Sequence, residues 1–330
     1  KIFIINIIIV LIIIIFIEGI LRIFSNITPQ GISKGIINTS SNPVFNFANI
    51  NQGKVFGENV FTDKNGFRIP EKIQIKSQNN QKKIYFIGGS VTFGSGVNQS
   101  KTFSGVLNDE IKYLEIVNAS VIGSNLKNNL DIIKKKIDDH NLERIFINFS
   151  MDDLVDMSQV VDNEETRELL SVREENNFIS NLKKNKILMF VNNFVRSKSV
   201  TYVWLKGYFL NSSKSYYLQA LNSFQNKNKV KSLDLLLADF SEQNILLQNK
   251  ITFLVIPYNY QIRDENCKQT DYAEDIIIDK LTKYKFNVLN FKDIFCSNSK
   301  KEKIFLKFDP SHLSEYGHMI IANTLIREIN

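Results

Sequence analysis

Three side chains that together could cleave an ester lie in two distant parts of the chain. Ser90 ends the triplet Gly88-Gly89-Ser90, while Asp309 and His312 are separated by Pro310-Ser311. A serine hydroxyl becomes an effective nucleophile when a histidine takes its proton and a carboxylate orients the imidazole. A short turn through a proline can bring Asp309 and His312 to one side. The residues therefore indicate acyl transfer through a serine.

Each part of this set also has a plainer interpretation. Triplets such as Gly88-Gly89-Ser90 are common in turns, and His312 could be a loop histidine that is hydrogen-bonded to Asp309. Of the two other histidines, His140 follows two aspartates at a predicted helix end and is expected on the surface. His318 falls in the last predicted helix, where we expect a packing or capping role.

Two further turns could supply groups that stabilise the negative oxygen formed during acyl transfer. Gly123 follows an apolar run at 116–117, and its small size would let its N–H face a reacting carbonyl oxygen. Ser150-Met151-Asp152-Asp153 follows the run at 145–149 and places polar side chains after a strand. Neither turn is specific by itself.

Apolar runs and helical patterns alternate along most of the chain, which predicts a parallel sheet covered on both faces. Strands are predicted near 84–87, 116–117, 145–147, 251–256 and 286–289, and helices near 101–113, 126–139, 271–284 and 314–328. The carboxyl ends of parallel strands share one edge, so Ser90 and the turn residues are expected to meet there. The stretch 154–249 interrupts the alternation and reads as a helical insertion, serving as a lid or as ordinary packing.

Residues 1–24 are almost uniformly apolar and have the length of a membrane span. Glu18 and Arg22 stand four apart and could pair at the membrane surface. Residues 25–81, rich in Asn, Ser, Gly and Pro, are interpreted as a linker and N-terminal extension, and residues 82–330 as the main domain. We favour an anchored protein whose main domain is exported, although basic residues on both sides of the span barely discriminate its orientation.

The composition of the chain argues against nucleic-acid, metal and cofactor binding. The formal net charge is +7, but the lysines are scattered, so no nucleic-acid partner is expected. Cys267 and Cys296 are the two cysteines, and either one disulfide or two buried thiols would suit them. Neither a metal nor a cofactor is expected, because the cysteines form no zinc-binding pattern and the glycines around Ser90 have neither dinucleotide-binding nor P-loop spacing.

Together the blocks resemble the SGNH (GDSL-type) hydrolase superfamily over residues 82–330. Asn65-Gly66-Phe67-Arg68 and the apolar N-terminal segment are similar to the membrane-anchored bacterial members, which act on ester or acetyl groups of envelope glycans or lipids. The resemblance implies a flavodoxin-like three-layer α/β/α fold. It also implies that Ser90 is the nucleophile, His312 the base and Asp309 its partner, with the N–H groups of Ser90 and Gly123 in the oxyanion hole.

One departure from the family concerns the third oxyanion donor. The family pattern Gly-x-Asn-Asp supplies an asparagine amide, whereas Asp152 occupies that place here. An ionised carboxylate only accepts hydrogen bonds and would repel an oxyanion. Asp152 could be protonated, could turn away, or could leave the protein a feeble catalyst. The first block also has Gly89 where many members carry aspartate.

The sequence thus favours a membrane-anchored serine esterase acting on an acylated glycan or lipid at the extracytoplasmic side. One alternative is an O-acyltransferase with a sugar hydroxyl as acceptor. Another, motivated by Asp152, is an envelope protein that keeps the fold but only binds glycans or proteins.

Overall fold

The computed structural model describes residues 2–33, 36, 52–63, 65–71, 81–136, 140–154, 186–209, 212–263, 265–268 and 271–330. Parts of the predicted linker, the end of the predicted helix 126–139 and residues 155–185 of the predicted insertion lie outside these ranges.

One eight-stranded mixed sheet forms the centre of the described chain. Its strands are β1 (Gln52–Val55), β2 (Glu58–Thr62), β3 (Arg68–Ile69), β4 (Lys82–Ile87), β5 (Leu114–Asn118), β6 (Leu142–Phe149), β7 (Ile251–Val255) and β8 (Asn287–Asn290). They are ordered β1-β2-β3-β5-β4-β6-β7-β8, and the part from β5 to β8 is parallel. In chain order these parallel strands run 2-1-3-4-5, the flavodoxin-like arrangement, whose order reverses beside the first strand.

Helices cover both faces of this sheet. The described α-helices are α1 (Ile2–Phe24), α2 (Ser90–Phe93), α3 (Phe103–Glu110), α4 (Leu126–Lys136), α5 (Lys186–Lys198), α6 (Val200–Phe209), α7 (Ser212–Gln225), α8 (Lys227–Gln243), α9 (Tyr272–Lys283), α10 (Lys292–Cys296) and α11 (Glu315–Ile329). Apolar side chains of α4, α7, α8 and α9 pack on one face, and those of α3, α10 and α11 pack on the other. Alternate residues of β4 divide between the two cores, as the pleat requires.

The predicted three-layer α/β/α architecture is confirmed, and the sheet is larger than predicted. Strands β1 to β3 come from the region read as a linker and extension, and they add an antiparallel edge to the parallel strands. In the insertion, α7 and α8 contribute buried residues such as Phe224 and Phe240 to the main core, so this part supports the sheet directly.

The helix α1 is long and apolar enough to cross a membrane. Its mean hydropathy is 3.2, and none of its residues is buried against the rest of the chain. A span of about 20 apolar residues matches a hydrocarbon core of roughly 30 Å. A signal sequence would also meet these criteria.

The two cysteines, for which the sequence left open a disulfide or two buried thiols, form a disulfide. Cys267 lies in the loop after β7 and Cys296 ends α10, with their Cα atoms 5.7 Å apart. The bond ties this loop to the helix that follows β8.

Candidate active site

Ser90 lies where β4 ends and the chain turns sharply into α2. Ile87 is the last residue of β4, and Ser90 is the first of the helix. A Cβ at Gly88 would lie 2.3 Å from the Thr92 hydroxyl oxygen, so only glycine fits this turn. As the first residue of α2, Ser90 has an N–H without an acceptor inside the helix. The turn therefore presents both its hydroxyl and its N–H at the carboxyl edge of the sheet.

Asp309 and His312 approach Ser90 from the loop before α11. Asp309 is fully buried, and its Oδ1 accepts hydrogen bonds from the N–H of Ser311 (2.9 Å), the N–H of His312 (2.8 Å) and the His312 ring at Nδ1 (2.9 Å). The edge of the His312 ring packs against Phe56, with centroids 4.9 Å apart. The imidazole is thus fixed by a carboxylate on one side and an aromatic ring on another.

The other ring nitrogen of His312 faces the serine. Its Nε2 is 2.8 Å from Ser90 Oγ. Burial works to raise the pKa of Asp309, but the charge of His312 and the hydrogen bonds from His312 and Ser311 hold that pKa below its ordinary value. Asp309 is therefore ionised and can keep a proton on Nδ1, which leaves Nε2 free to accept the serine proton. The structure brings the three predicted residues together.

Gly123 lies beside this serine in a left-handed turn. Its φ is +81°, and a built Cβ would meet no atom within 4 Å, so its backbone borders open space. The neighbouring loop is tied to the serine turn, because the Ser124 hydroxyl and the Val121 N–H both donate to the Gly88 carbonyl at 3.0 Å. Gly123 and Ser90 line the same pocket, where their N–H groups could face one oxygen.

Asp152 also lines this pocket, but a helix of the insertion engages it. The Tyr216 hydroxyl of α7 donates to Asp152 Oδ2 at 2.9 Å. Burial, followed by the charge of Asp152, raises the pKa of Tyr216, so the phenol keeps its proton and remains a donor. The ring of Tyr258 packs against Tyr216 at 5.2 Å, and burial raises its pKa as well. One oxygen of Asp152 is thus held by a phenol, while the carboxylate remains in the lining of the pocket.

The pocket itself is small and polar. Its volume is about 90 Å³, and its lining comprises Gly89, Ser90, Val91, Gly123, Ser124, Asn125, Asn148, Ser150, Asp152, Asp153 and Ser311. Small hydroxyl and amide side chains predominate, which suits a hydrogen-bonding ligand better than a long apolar chain.

Arg68 supports the serine turn from the antiparallel edge, a role that its motif alone did not reveal. Its guanidinium is buried and donates to the carbonyl oxygens of Phe93, Gly94 and Val97 at 2.6 Å each. Burial lowers the pKa of Arg68 to about 10, with an opposing contribution from Glu58, so the group stays charged at neutral pH. It clamps the segment that follows the serine.

Gln30 is a site residue that no motif or pattern in the sequence indicated. Its side-chain amide donates to Asp309 Oδ2 at 3.3 Å, and its oxygen accepts from Arg196 Nε at 2.6 Å. It therefore contacts the carboxylate oxygen that His312 leaves unused. No spacing signal could have found it, since 279 positions separate Gln30 from Asp309.

The two remaining histidines lie where the sequence predicted. His140 is exposed, outside the site. His318 is fully buried in α11, where its Nδ1 accepts from the Phe103 N–H at 3.3 Å and its ring packs on that of Phe103. Burial, with smaller contributions from the charges of Arg68 and His312, lowers the pKa of His318 to about 3. His318 is a neutral core residue.

Comparison with known proteins finds similarity in structure only. Neither a protein-family pattern nor a curated relative matches the sequence. Solved structures that match include a lipase/acylhydrolase from Enterococcus faecalis (12% identity, TM-score 0.41, covering 76% of this chain and 95% of that one). A catalytic mutant of an acetylxylan esterase from Geobacillus stearothermophilus matches at 11% identity and a TM-score of 0.42, covering 76% and 94%.

A third match is a lipolytic protein of the G-D-S-L family from Veillonella parvula, at 11% identity and a TM-score of 0.38, covering 74% of this chain and 97% of that one. Identities and scores this low do not establish function. The functional conclusion must therefore come from the geometry of the site.

Proposed function

We propose that the protein is a serine esterase of the SGNH type that acts on an acyl ester and is held at a membrane by α1. The observation that supports this most directly is the continuous set of contacts from Ser90 Oγ to His312 Nε2 (2.8 Å) and from His312 Nδ1 to Asp309 Oδ1 (2.9 Å). Such distances permit proton transfer without rearrangement.

The reaction begins when Ser90 Oγ attacks the ester carbonyl carbon and His312 Nε2 takes the hydroxyl proton. The carbonyl oxygen becomes negative and is stabilised by the N–H groups of Ser90 and Gly123. The C–O bond to the alcohol then breaks, and the leaving oxygen receives the proton from Nε2. Asp309 stabilises the imidazolium throughout and holds its tautomer.

The resulting acyl-serine ester is cleaved by the reverse sequence. A water molecule loses a proton to His312, attacks the acyl carbon and releases a carboxylic acid, and Ser90 regains its proton. A sugar hydroxyl in place of water would make the protein an O-acyltransferase. Hydrolysis is the primary proposal.

The polar pocket favours a small acyl group carried on a glycan. Asn125 and Ser124 lie beside Ser90 in the lining and could bind sugar hydroxyls. An O-acetyl or other short acyl ester of an envelope glycan or glycolipid is the substrate class that we propose.

The location that we propose is the extracytoplasmic side of the membrane, with α1 as a single span. The disulfide between Cys267 and Cys296 supports this assignment, because such bonds persist in oxidising compartments. The opposite orientation would expose the bond to a reducing environment.

A second candidate function is binding without turnover. The Asp152 carboxylate in the pocket favours it, because a negative charge near the reacting oxygen opposes oxyanion formation. In that case the pocket would hold an acylated glycan, and Ser90 would remain unmodified.

Labelling of the serine separates these functions. We expect a fluorophosphonate to modify the full chain, and Ser90→Ala to abolish both labelling and p-nitrophenyl acetate turnover, because the attacking oxygen is gone. Ser299→Ala, at an exposed serine, is the matched control and should retain both. Labelling that persists in Ser90→Ala would rule out Ser90 as the nucleophile, and failure to label the native chain would favour the binding function.

A further inference from the structure

The helix α6 packs directly against the end of α1. Glu18 of α1 accepts hydrogen bonds from the N–H groups of Val200 (3.0 Å) and Thr201 (2.8 Å) at the start of α6. Arg22 donates to the Lys198 carbonyl at 2.5 Å. Since Glu18 lies six residues before the end of α1, α6 begins about 9 Å below that end along its axis. The last two turns of the apolar helix therefore contact the start of α6 and the end of α5.

The far end of α6 presents aromatic rings to solvent. Tyr208 is 70% exposed and Phe209 is 74% exposed. The Trp204 ring lies 6.1 Å from that of Tyr208, which in turn lies 5.3 Å from that of Phe209. Phe194 of α5 is also exposed. Such a group of large exposed rings is unusual on a protein surrounded only by water.

Basic residues lie at both ends of α6. Lys198, which ends α5, adjoins the start of α6, and Lys206 lies in the last turn of α6 near the exposed rings. Tyr and Trp rings together with Lys and Arg are typical of segments at the boundary between lipid headgroups and acyl chains. Positive charge there complements phosphate groups of anionic lipids. The composition thus fits a lipid surface better than the interior of a protein complex, where lysine is depleted.

The same helix also supports the catalytic loop. A Cβ at Gly207 would lie 2.3 Å from the ring of Phe308, so α6 and this ring are in close contact. Phe308 directly precedes Asp309 and adopts a positive φ of 63°. The residue that precedes the Asp309–His312 loop therefore packs against α6, and α6 in turn packs against α1.

We propose that the exposed aromatic face of α6 lies on the surface of the bilayer that α1 spans, so that the catalytic loop works at the level of the lipid headgroups. The substrate class that follows is an acyl ester borne by a membrane amphiphile, such as an acylated glycolipid. The substrate part of this inference rests on the proposed esterase function. The surface part is independent of that function and rests on the packing of α6 against α1, the exposed rings and the basic residues.

Trp204 is the only tryptophan in the chain, so its fluorescence reports on α6 directly. We expect fluorescence of the full chain in proteoliposomes to be quenched strongly by phosphatidylcholine brominated near the headgroup, and less by lipid brominated near the bilayer centre. The double variant Tyr208→Ser/Phe209→Ser should lose much of this quenching. The control is Leu246→Ser, which should retain the quenching. Leu246 is an apolar residue, 90% exposed, that lies before β7 at the amino ends of the parallel strands.

Fluorescence of the native chain that is insensitive to both brominated lipids would overturn the proposal and leave the aromatic face for a protein partner. Equal quenching in the native chain and the double variant would also contradict it. Neither quenching measurement depends on catalysis, so contact with the lipid surface is tested even if the esterase proposal fails.

The substrate class is tested with two acetylated glycosides that share the same reacting ester. One carries a methyl group and is soluble, and the other carries an octadecyl chain and is held in the vesicles. We expect Tyr208→Ser/Phe209→Ser to lower hydrolysis of the vesicle-borne ester by about tenfold, because surface contact by two aromatic rings is lost, while hydrolysis of the soluble ester stays within about twofold. An equal effect on both esters would contradict the proposal. If the native chain hydrolyses neither, the esterase function fails instead.

Discussion

Asp152 is the residue at which this site departs most from an efficient ester-cleaving arrangement. The family resemblance predicts an amide donor at this place, whereas this residue is an aspartate whose Oδ2 accepts a hydrogen bond from the Tyr216 hydroxyl. The phenol disperses part of the carboxylate charge, and the contact keeps that oxygen directed at the insertion. Two backbone donors, at Ser90 and Gly123, are then left to stabilise the oxyanion.

Restoring the amide tests this interpretation. Replacing Asp152→Asn should raise kcat for p-nitrophenyl acetate by at least about tenfold, since a missing side-chain donor typically costs 10² to 10³ in rate. Asp109→Asn on α3 makes the same charge change at an exposed position and should leave kcat unchanged. An unchanged kcat in Asp152→Asn would show that the oxyanion does not approach this side chain.

Several elements distant in sequence converge on the Asp309–His312 loop. Gln30, in the segment between α1 and β1, contacts Asp309, and Phe56, between β1 and β2, packs on the His312 ring. Arg68 of β3 holds the backbone after the serine helix. In the proposed esterase, the extension before β4 therefore positions groups at Ser90, His312 and Asp309.

Gln30 is predicted to be a positioning residue. Gln30→Ala removes a donor to Asp309 Oδ2 and should lower kcat by about fivefold to tenfold, the equivalent of one hydrogen bond, while KM stays constant. Gln30→Glu should lower kcat further, because it places a second carboxylate beside Asp309. Gln225→Ala, at an exposed residue ending α7, is the control. A rise in KM without a change in kcat would show that Gln30 acts on substrate binding instead.

At the scale of the whole molecule, a buried neutral histidine links stability to pH. His318 has a folded-state pKa of about 3, lowered by burial and then by the charges of Arg68 and His312, against an ordinary value of 6.5. Between these values the unfolded chain takes up a proton that the native core excludes. The free energy of unfolding therefore falls as pH decreases from 6.5 toward 3.

From pH 6.5 to pH 5 this single group should lower the free energy of unfolding by about 1.6 kcal/mol. His318→Gln keeps an acceptor for the Phe103 N–H but does not titrate, so its stability should depend less on pH by that amount. Urea unfolding of the full chain in detergent, at both pH values, measures the difference between the two proteins. Parallel pH profiles would mean that His318 can be protonated in the native state.

Much of the architecture was predictable, because hydrophobic periodicity reports which face of an element is buried. The alternation of apolar runs and helical patterns predicted strands β4 to β8 and helices α3, α4, α9 and α11. The antiparallel strands β1 to β3 lie in the region that was interpreted as a linker and extension, because strands of two to five residues carry little periodicity. Their role in the sheet depends on pairing with β5, which no local pattern encodes.

Local sequence features were enough to predict where Ser90, His312 and Asp309 would meet. Glycines after a buried strand, and Asp309 three residues before His312, place the three groups at one edge of a parallel sheet, since all its carboxyl ends point the same way. The side chains that support them were identified from the folded chain. Separate segments of the chain are joined by the hydrogen bonds Gln30–Asp309 and Tyr216–Asp152 and by the disulfide Cys267–Cys296. The spacing of these residues along the chain does not indicate that they meet. Contacts of this kind arise from packing, in which the position of each group depends on the whole fold.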